Sequence, residues 1–130
     1  MKITRFHATA EGESRFEEVE IPITDPRRDE FGFVMHQSGA FASASIRFVE
    51  LPVGLDQGWH HAPARQIVVL LKGTMEVGTS DGQKRQWSTG SAVIADDLTG
   101  KGHVTRVVEG PAVVMFVQLP DNFDVGSWRG

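Results

Sequence analysis

The chain has 130 residues, the usual length of a single domain. Its 40% hydrophobic and 23% charged residues are typical of a globular protein and exclude wholesale disorder. Thirteen basic against seventeen acidic residues give a net charge of −4, which argues against a nucleic-acid partner, because such a partner needs a basic face.

The sequence contains no cysteine, which excludes disulfides, thiolate metal sites and cysteine nucleophiles. The first residues turn polar at once, and the longest apolar run, residues 67–71, is too short to cross a bilayer. We therefore expect no membrane partner and a cytoplasmic location.

Short apolar runs separated by turn residues predict an all-β domain. The predicted strands are residues 2–6, 16–21, 40–51, 66–72, 74–79, 83–87, 92–95, 103–108 and 112–119. Residues 24–30 are predicted as a polar loop, because a proline there stops a strand. The tail, residues 120–130, either docks as a short helix or strand or frays. No linker interrupts residues 1–130, so we expect one jelly roll or small barrel with one cavity.

Three histidines lie in two segments that are candidates for chemistry. His60 and His61 follow a glycine-rich loop, and His103 begins a later predicted strand. Neutral imidazole is a common ligand for transition metals. Gln66 begins the strand after the first segment, and strand alternation places its side chain on one face with Val68. The spacing leaves two interpretations open: convergent metal ligands, or solvated loop histidines with a satisfied histidine at a strand end.

The first segment resembles the first motif of the cupin family. Cupins have glycine, histidine, histidine, glutamate and glycine at the positions held here by Gly54, His60, Ala62, Gln66 and Gly73. The spacing is kept throughout, whereas two of the ligand positions have changed identity.

The second segment resembles the second cupin motif, which Gly90 opens and His103 closes. Asp96 stands in the place of a proline, and two extra residues precede the last glycine. The resemblance covers about residues 40–119, with N-terminal strands in residues 1–39 and a tail in residues 120–130. It implies the cupin-type double-stranded β-helix, a jelly-roll barrel.

Metal-binding cupins take two histidines and a glutamate from the first motif and a histidine from the second. The resemblance therefore implies a divalent transition metal (Fe, Mn, Ni, Cu or Zn) on His60, Gln66 and His103, because Ala62 cannot ligate. A three-ligand site of this kind keeps a position open for substrate. The alternative is a plain pocket without a metal or other cofactor.

Residues beside the motifs are further candidates. Two roles are open for Asp97: it orients His103 and acts with it as a catalytic acid or base, or it is hydrogen-bonded within a solvated turn. For Asp96 we expect the solvated turn. The candidates for the substrate pocket are Trp59, His61, Val68 and Arg65. For Trp59 the alternative is burial under the loop, and for Arg65 it is a surface ion pair.

The resemblance implies a small-molecule cupin enzyme, with metal-dependent oxygenase-, lyase- or isomerase-like chemistry on a small organic substrate. The alternative is a metal-independent cupin, either an acid/base isomerase working through His103 and Asp97 or a non-catalytic protein that binds a small ligand. The resemblance also implies a homodimer, in which the predicted strands 2–6 and 16–21 add to the partner's sheet.

Overall fold

The computed structural model describes residues 1–128, which are mainly β-strand. The strands are β1 (Lys2–Ala8), β2 (Ser14–Glu20), β3 (Asp25–Arg28), β4 (Val34–Gln37), β5 (Ser45–Leu51), β6 (Asp56–His60), β7 (Gln66–Thr79), β8 (Lys84–Ser88), β9 (Ala92–Asp96) and β10 (His103–Gln118). A short 3-10 helix, η1 (Val125–Trp128), follows them. The all-β prediction is confirmed.

Eight strands form one mixed sheet. Its order is β2-β1-β9-β7-β10-β5, with β6 also paired to β10 and β8 also paired to β7. The β1–β9 pair is parallel. Strands β3 and β4 form a separate two-stranded sheet. The strand pairing within residues 1–128 shows no closed barrel, because β2 and β5 lie at opposite ends of the order.

Strands β7 and β10 are long and bent, and each contributes to both halves of the sheet. In one half they pair with β9 and β5, and in the other half they pair with β8 and β6. The first part of β7 pairs with β9 and its second part with β8. Gly73 lies between these parts with a φ of +88°, and a Cβ there would lie 2.6 Å from the carbonyl oxygen of Glu109. The sequence analysis predicted two separate strands in place of each, residues 66–72 and 74–79 for β7 and residues 103–108 and 112–119 for β10. The β7–β10 ladder instead continues through the bends with shifts of register.

Three strands were missed by the sequence analysis. They are β3, β4 and β6, and the strand predicted for residues 40–51 begins only at Ser45. Residues 24–30 were expected to be a loop because of Pro26. In a two-stranded sheet each strand is an edge, so the missing N–H of a proline is tolerated.

The apolar interior has two clusters. The larger one includes Phe6, Leu70 and Val114 and lies between the two halves of the sheet. The smaller one packs η1, through Val125 and Trp128, against the outer face of β1, β2 and β9. The C-terminal tail therefore docks as a short helix, although residues 129–130 of that tail lie outside the described residues.

Strand β1 has β2 on one side and β9 on the other. Both of its edges are therefore occupied within the chain, so residues 2–6 offer no free edge to a partner's sheet in this structure. Strand β2 lies at an end of the sheet and keeps its outer edge. Within residues 1–128, none of the helical segments is long and apolar enough to cross a membrane.

Candidate functional site

The main sheet curls around a cavity of about 510 Å³, a volume typical of small-molecule sites. Its apolar wall includes Phe6 of β1, Val68 and Met75 of β7, and Phe116 of β10. Its polar lining comprises three histidines together with Ser45, Arg47, Gln57, Gln66, Thr105 and Gln118.

His60 and His103 are direct neighbours across the β6–β10 ladder. Opposite residues of an antiparallel pair point to the same face, and these two rings have centroids 4.3 Å apart. Gly102 permits this approach, because a Cβ at that position would overlap the carbonyl oxygen of His60. The histidines of the two sequence segments therefore meet at one cavity wall.

Asp97 holds the ring of His103 from behind. Its Oδ2 lies 2.5 Å from His103 Nδ1, and both side chains are buried. Asp97 Oδ1 also accepts a hydrogen bond from the backbone N–H of Ala62 at 3.3 Å. Asp97 is thus not in a solvated turn. Since an ionised carboxylate only accepts, Nδ1 of His103 donates, and the neutral ring leaves the Nε2 lone pair available.

His60 has the same tautomer for a similar reason. Its Nδ1 lies 2.6 Å from the carbonyl oxygen of Gly58, which can only accept. The Nε2 atom of neutral His60 therefore carries a lone pair. His61 also lines the cavity, but its Nε2 is engaged with the carbonyl oxygen of Gly100 at 2.5 Å.

Gln66 and Val68 lie on the inward face of β7, as strand alternation predicts. Gln66 is only 9% exposed. Within the described residues, its side-chain amide has no protein hydrogen-bond partner, and since none of the fully buried side-chain polar atoms there lacks a partner, the amide is accessible from the cavity. An accessible amide of this kind can offer a ligand its oxygen as an acceptor or its NH₂ group as a donor.

Trp59 and Arg65 are not among the residues that line the cavity, and Arg65 forms an ion pair, which was the alternative for it. Trp59 is 56% exposed, because alternation on β6 turns it away from the side that His60 faces. The Arg65 guanidinium donates to Asp96 Oδ1 at 2.7 Å and to the carbonyl of Phe123 at 2.8 Å. Asp96, expected in a solvated turn, is 5% exposed and also binds Arg5.

A metal in the cavity has a restricted set of donors. Across residues 1–128, no group of three or more His, Cys, Asp or Glu side chains could hold a metal ion. His60, Gln66 and His103 form a different set, two imidazoles and a neutral carboxamide. All three line the same cavity, and imidazole and carboxamide are donor types that a borderline transition metal accepts, although the set contributes no negative charge.

Outside the cavity, two carboxyl groups have lowered pKa values. Hydrogen bonds from Arg106 and then Gln86 lower the pKa of Glu76 to about 2. The same pairing raises the pKa of Arg106. Hydrogen bonds from Lys101 and then Ser80 lower the pKa of Glu13. These pairs link strands and loops on the outside of the sheet.

Sequence reasoning did not single out Arg47, Gln57 or Thr105, which all line the cavity. For Arg47 the signal was present, because alternation along residues 45–51 puts Ser45, Arg47, Val49 and Leu51 on one face.

Neither the protein-family models nor the curated proteins include a match to this chain.

Proposed function

We propose that this chain is a small-molecule enzyme of the cupin type, in which His60, Gln66 and His103 hold a divalent transition metal. The observation that carries the proposal is the buried contact between Asp97 and His103 beside His60. A carboxylate behind a histidine, fixing its tautomer and turning Nε2 toward a cavity, is a common arrangement around bound metals.

The cupin assignment is supported by the meeting of the two motif histidines. His60 and His103 lie far apart in the sequence but opposite each other on β6 and β10. A cupin jelly roll would bring its two motifs together at one cavity in the same way. The bent strands β7 and β10, which give the sheet two halves around that cavity, are consistent with this architecture.

A bound divalent metal would supply Lewis-acid polarisation of a carbonyl or enolate oxygen, or a site for dioxygen. The chain's own residues would fix the tautomer of a ligand, bind the substrate and exclude water. Asp97 keeps the proton of neutral His103 on Nδ1, which leaves Nε2 as the atom that would hold the metal. The apolar wall around Val68, Met75 and Phe116 holds the substrate and excludes water.

The test is the metal content of untagged protein, measured by elemental analysis after incubation with Fe, Mn, Ni, Cu or Zn salts. We expect near-stoichiometric metal, lost in His103→Ala. Asp97→Asn should lower metal affinity by about 10- to 100-fold, since outer carboxylates typically contribute that much. His36→Ala is the matched control, because His36 lies on the exposed strand β4. Absence of metal from the unaltered protein after every incubation would overturn the proposal.

A second candidate is a metal-independent cupin, either an isomerase using Asp97 and His103 as an acid/base pair or a protein that binds a ligand without turnover. The neutral side chains of Ala62 and Gln66 at two ligand positions favour it. A chelator separates the candidates. Ligand binding or turnover that survives chelation, but changes in Asp97→Asn, supports the second candidate and contradicts the first.

We also propose a homodimer, on the resemblance to small cupins and on the state of the β3–β4 hairpin. Every residue of its two strands is exposed, and Phe31 and Phe33 at its turn are 77% and 70% exposed. An isolated two-stranded hairpin is marginally stable in water, so a cover is expected. Light scattering should give twice 14.3 kDa, and a mass near 14.3 kDa at micromolar concentration would contradict the dimer.

A further inference from the structure

The cavity is lined almost entirely by uncharged side chains, although the chain as a whole carries a net charge of −4. Within residues 1–128, no aspartate or glutamate lines it, and Arg47 is its one permanently charged lining residue. Asp97 lies behind the His103 ring and does not line the cavity itself. An anion entering the cavity therefore meets one cation and no acidic side chain.

Among the described residues, the Arg47 side chain has no ion pair and no hydrogen bond to protein. Several other arginines do have a partner: Arg65 shares Asp96 with Arg5, and Arg106 pairs with Glu76. Arg47 lies on the cavity side of β5, opposite Phe116 in the β5–β10 register. It is exposed, which places its guanidinium at the solvent side of the cavity wall.

The neighbours of Arg47 favour the same ligand chemistry. Ser45, the next inward residue on β5, donates to Oε1 of Gln118 at 3.1 Å. That bond leaves the NH₂ group of Gln118 as a donor at the cavity wall. Arg47 and Gln118 thus both present hydrogen-bond donors on this side of the cavity, which favours an anionic group there.

We propose that the cavity binds a small monocarboxylic acid with an apolar body, its carboxylate paired with Arg47. The planar guanidinium matches a carboxylate in a two-pronged arrangement. A single cation balances a single negative charge, whereas a phosphate dianion would bring a second charge to a largely apolar wall. The orientation toward His60 and His103 rests on the proposed function, but the carboxylate contact does not require a metal.

The test is isothermal titration calorimetry with three probes, 4-methylpentanoate, 3-phenylpropanoate and octanoate. We expect at least one of these carboxylates to bind the unaltered protein. Its affinity for Arg47→Gln should be at least tenfold lower, and the neutral amide analogue of the same probe should bind the unaltered protein at least tenfold more weakly than the carboxylate does. Arg47→Lys should retain part of the affinity. Arg28→Gln, on the exposed strand β3, is the matched control and should bind as the unaltered protein does.

Failure of all three carboxylates to bind, or equal binding to Arg47→Gln, would overturn the proposal. Tighter binding of octyl phosphate than of octanoate would also overturn it, in favour of a phosphate ligand. Metal content measured on the same preparations separates this proposal from the proposed function. Carboxylate binding that depends on Arg47 in a protein that takes up no metal contradicts the metal site and supports this inference.

Discussion

Gly102 lies directly against the backbone of His60, and a Cβ at position 102 would overlap the His60 carbonyl oxygen. This contact sets how closely β6 approaches the start of β10. It therefore decides whether His60 and His103 can face each other across the ladder.

Gly102→Ala should separate β6 from β10 and lower both stability and metal uptake. Both Gly102 and Gly82 have positive φ values, but a Cβ on Gly82 would meet nothing within 4 Å. Gly82→Ala is thus a matched control that carries only the backbone strain, about 1–2 kcal/mol. In urea unfolding we expect Gly102→Ala to lose at least about 1 kcal/mol more than this control. Equal losses of unfolding free energy in the two variants would show that the close contact between Gly102 and His60 does not contribute to stability.

Asp97→Ala should destabilise the fold, because it removes the acceptor of the buried donor His103 Nδ1, whereas the Ala62 N–H keeps the backbone carbonyl of residue 97. A buried donor left unpaired costs about 1–3 kcal/mol, so we expect a loss of about that size in urea unfolding. Asp97→Asn, which keeps an acceptor oxygen, should lose less. A loss below 0.5 kcal/mol for Asp97→Ala, roughly that of a surface change, would contradict the structural role of this carboxylate.

Gln66→Glu should raise the affinity for divalent metal at least tenfold, because it adds an anionic oxygen beside two imidazoles. Without metal, the same variant should melt at a lower temperature, since the new carboxylate is nearly buried. The measurements are metal titration and thermal unfolding with and without chelator. Gln57→Glu, at an exposed position of the cavity lining, provides the comparison. Unchanged metal affinity in Gln66→Glu would argue against Gln66 as a ligand position.

Arg106→Gln should remove stability in a pH-dependent way. The pKa of folded Glu76 is about 2, below its ordinary value of 4.5, so ionised Glu76 stabilises the fold above about 4.5. This contribution is lost as the pH falls from 4.5 toward 2. We expect the stability difference between the unaltered protein and Arg106→Gln to be largest near neutral pH and to shrink over that window. Urea unfolding at a series of pH values tests this, and a difference independent of pH would contradict it.

Much of the fold could be predicted from the sequence because strand patterns are local. The alternation and turn residues around β7, β8 and β9 indicate strands, and each was found. Strands β3 and β4 lack that signal, because all their residues are exposed and Pro26 argues against a strand. The bends in β7 and β10 were also hidden, since a glycine predicts a break as readily as a bend.

From the sequence by itself, residue type and spacing made His60, His103 and Gln66 candidates, and the resemblance of their segments to the cupin motifs predicted one site for all three. The sequence also determined that Gln66 and Val68 share a face of one strand, which follows from alternation. Only the tertiary structure decided that Asp97 is buried against His103, that Arg65 serves Asp96 rather than the cavity, and that Arg47 stands unpaired at the cavity wall. These relationships join residues from different strands, and their distances depend on how the whole sheet bends and pairs.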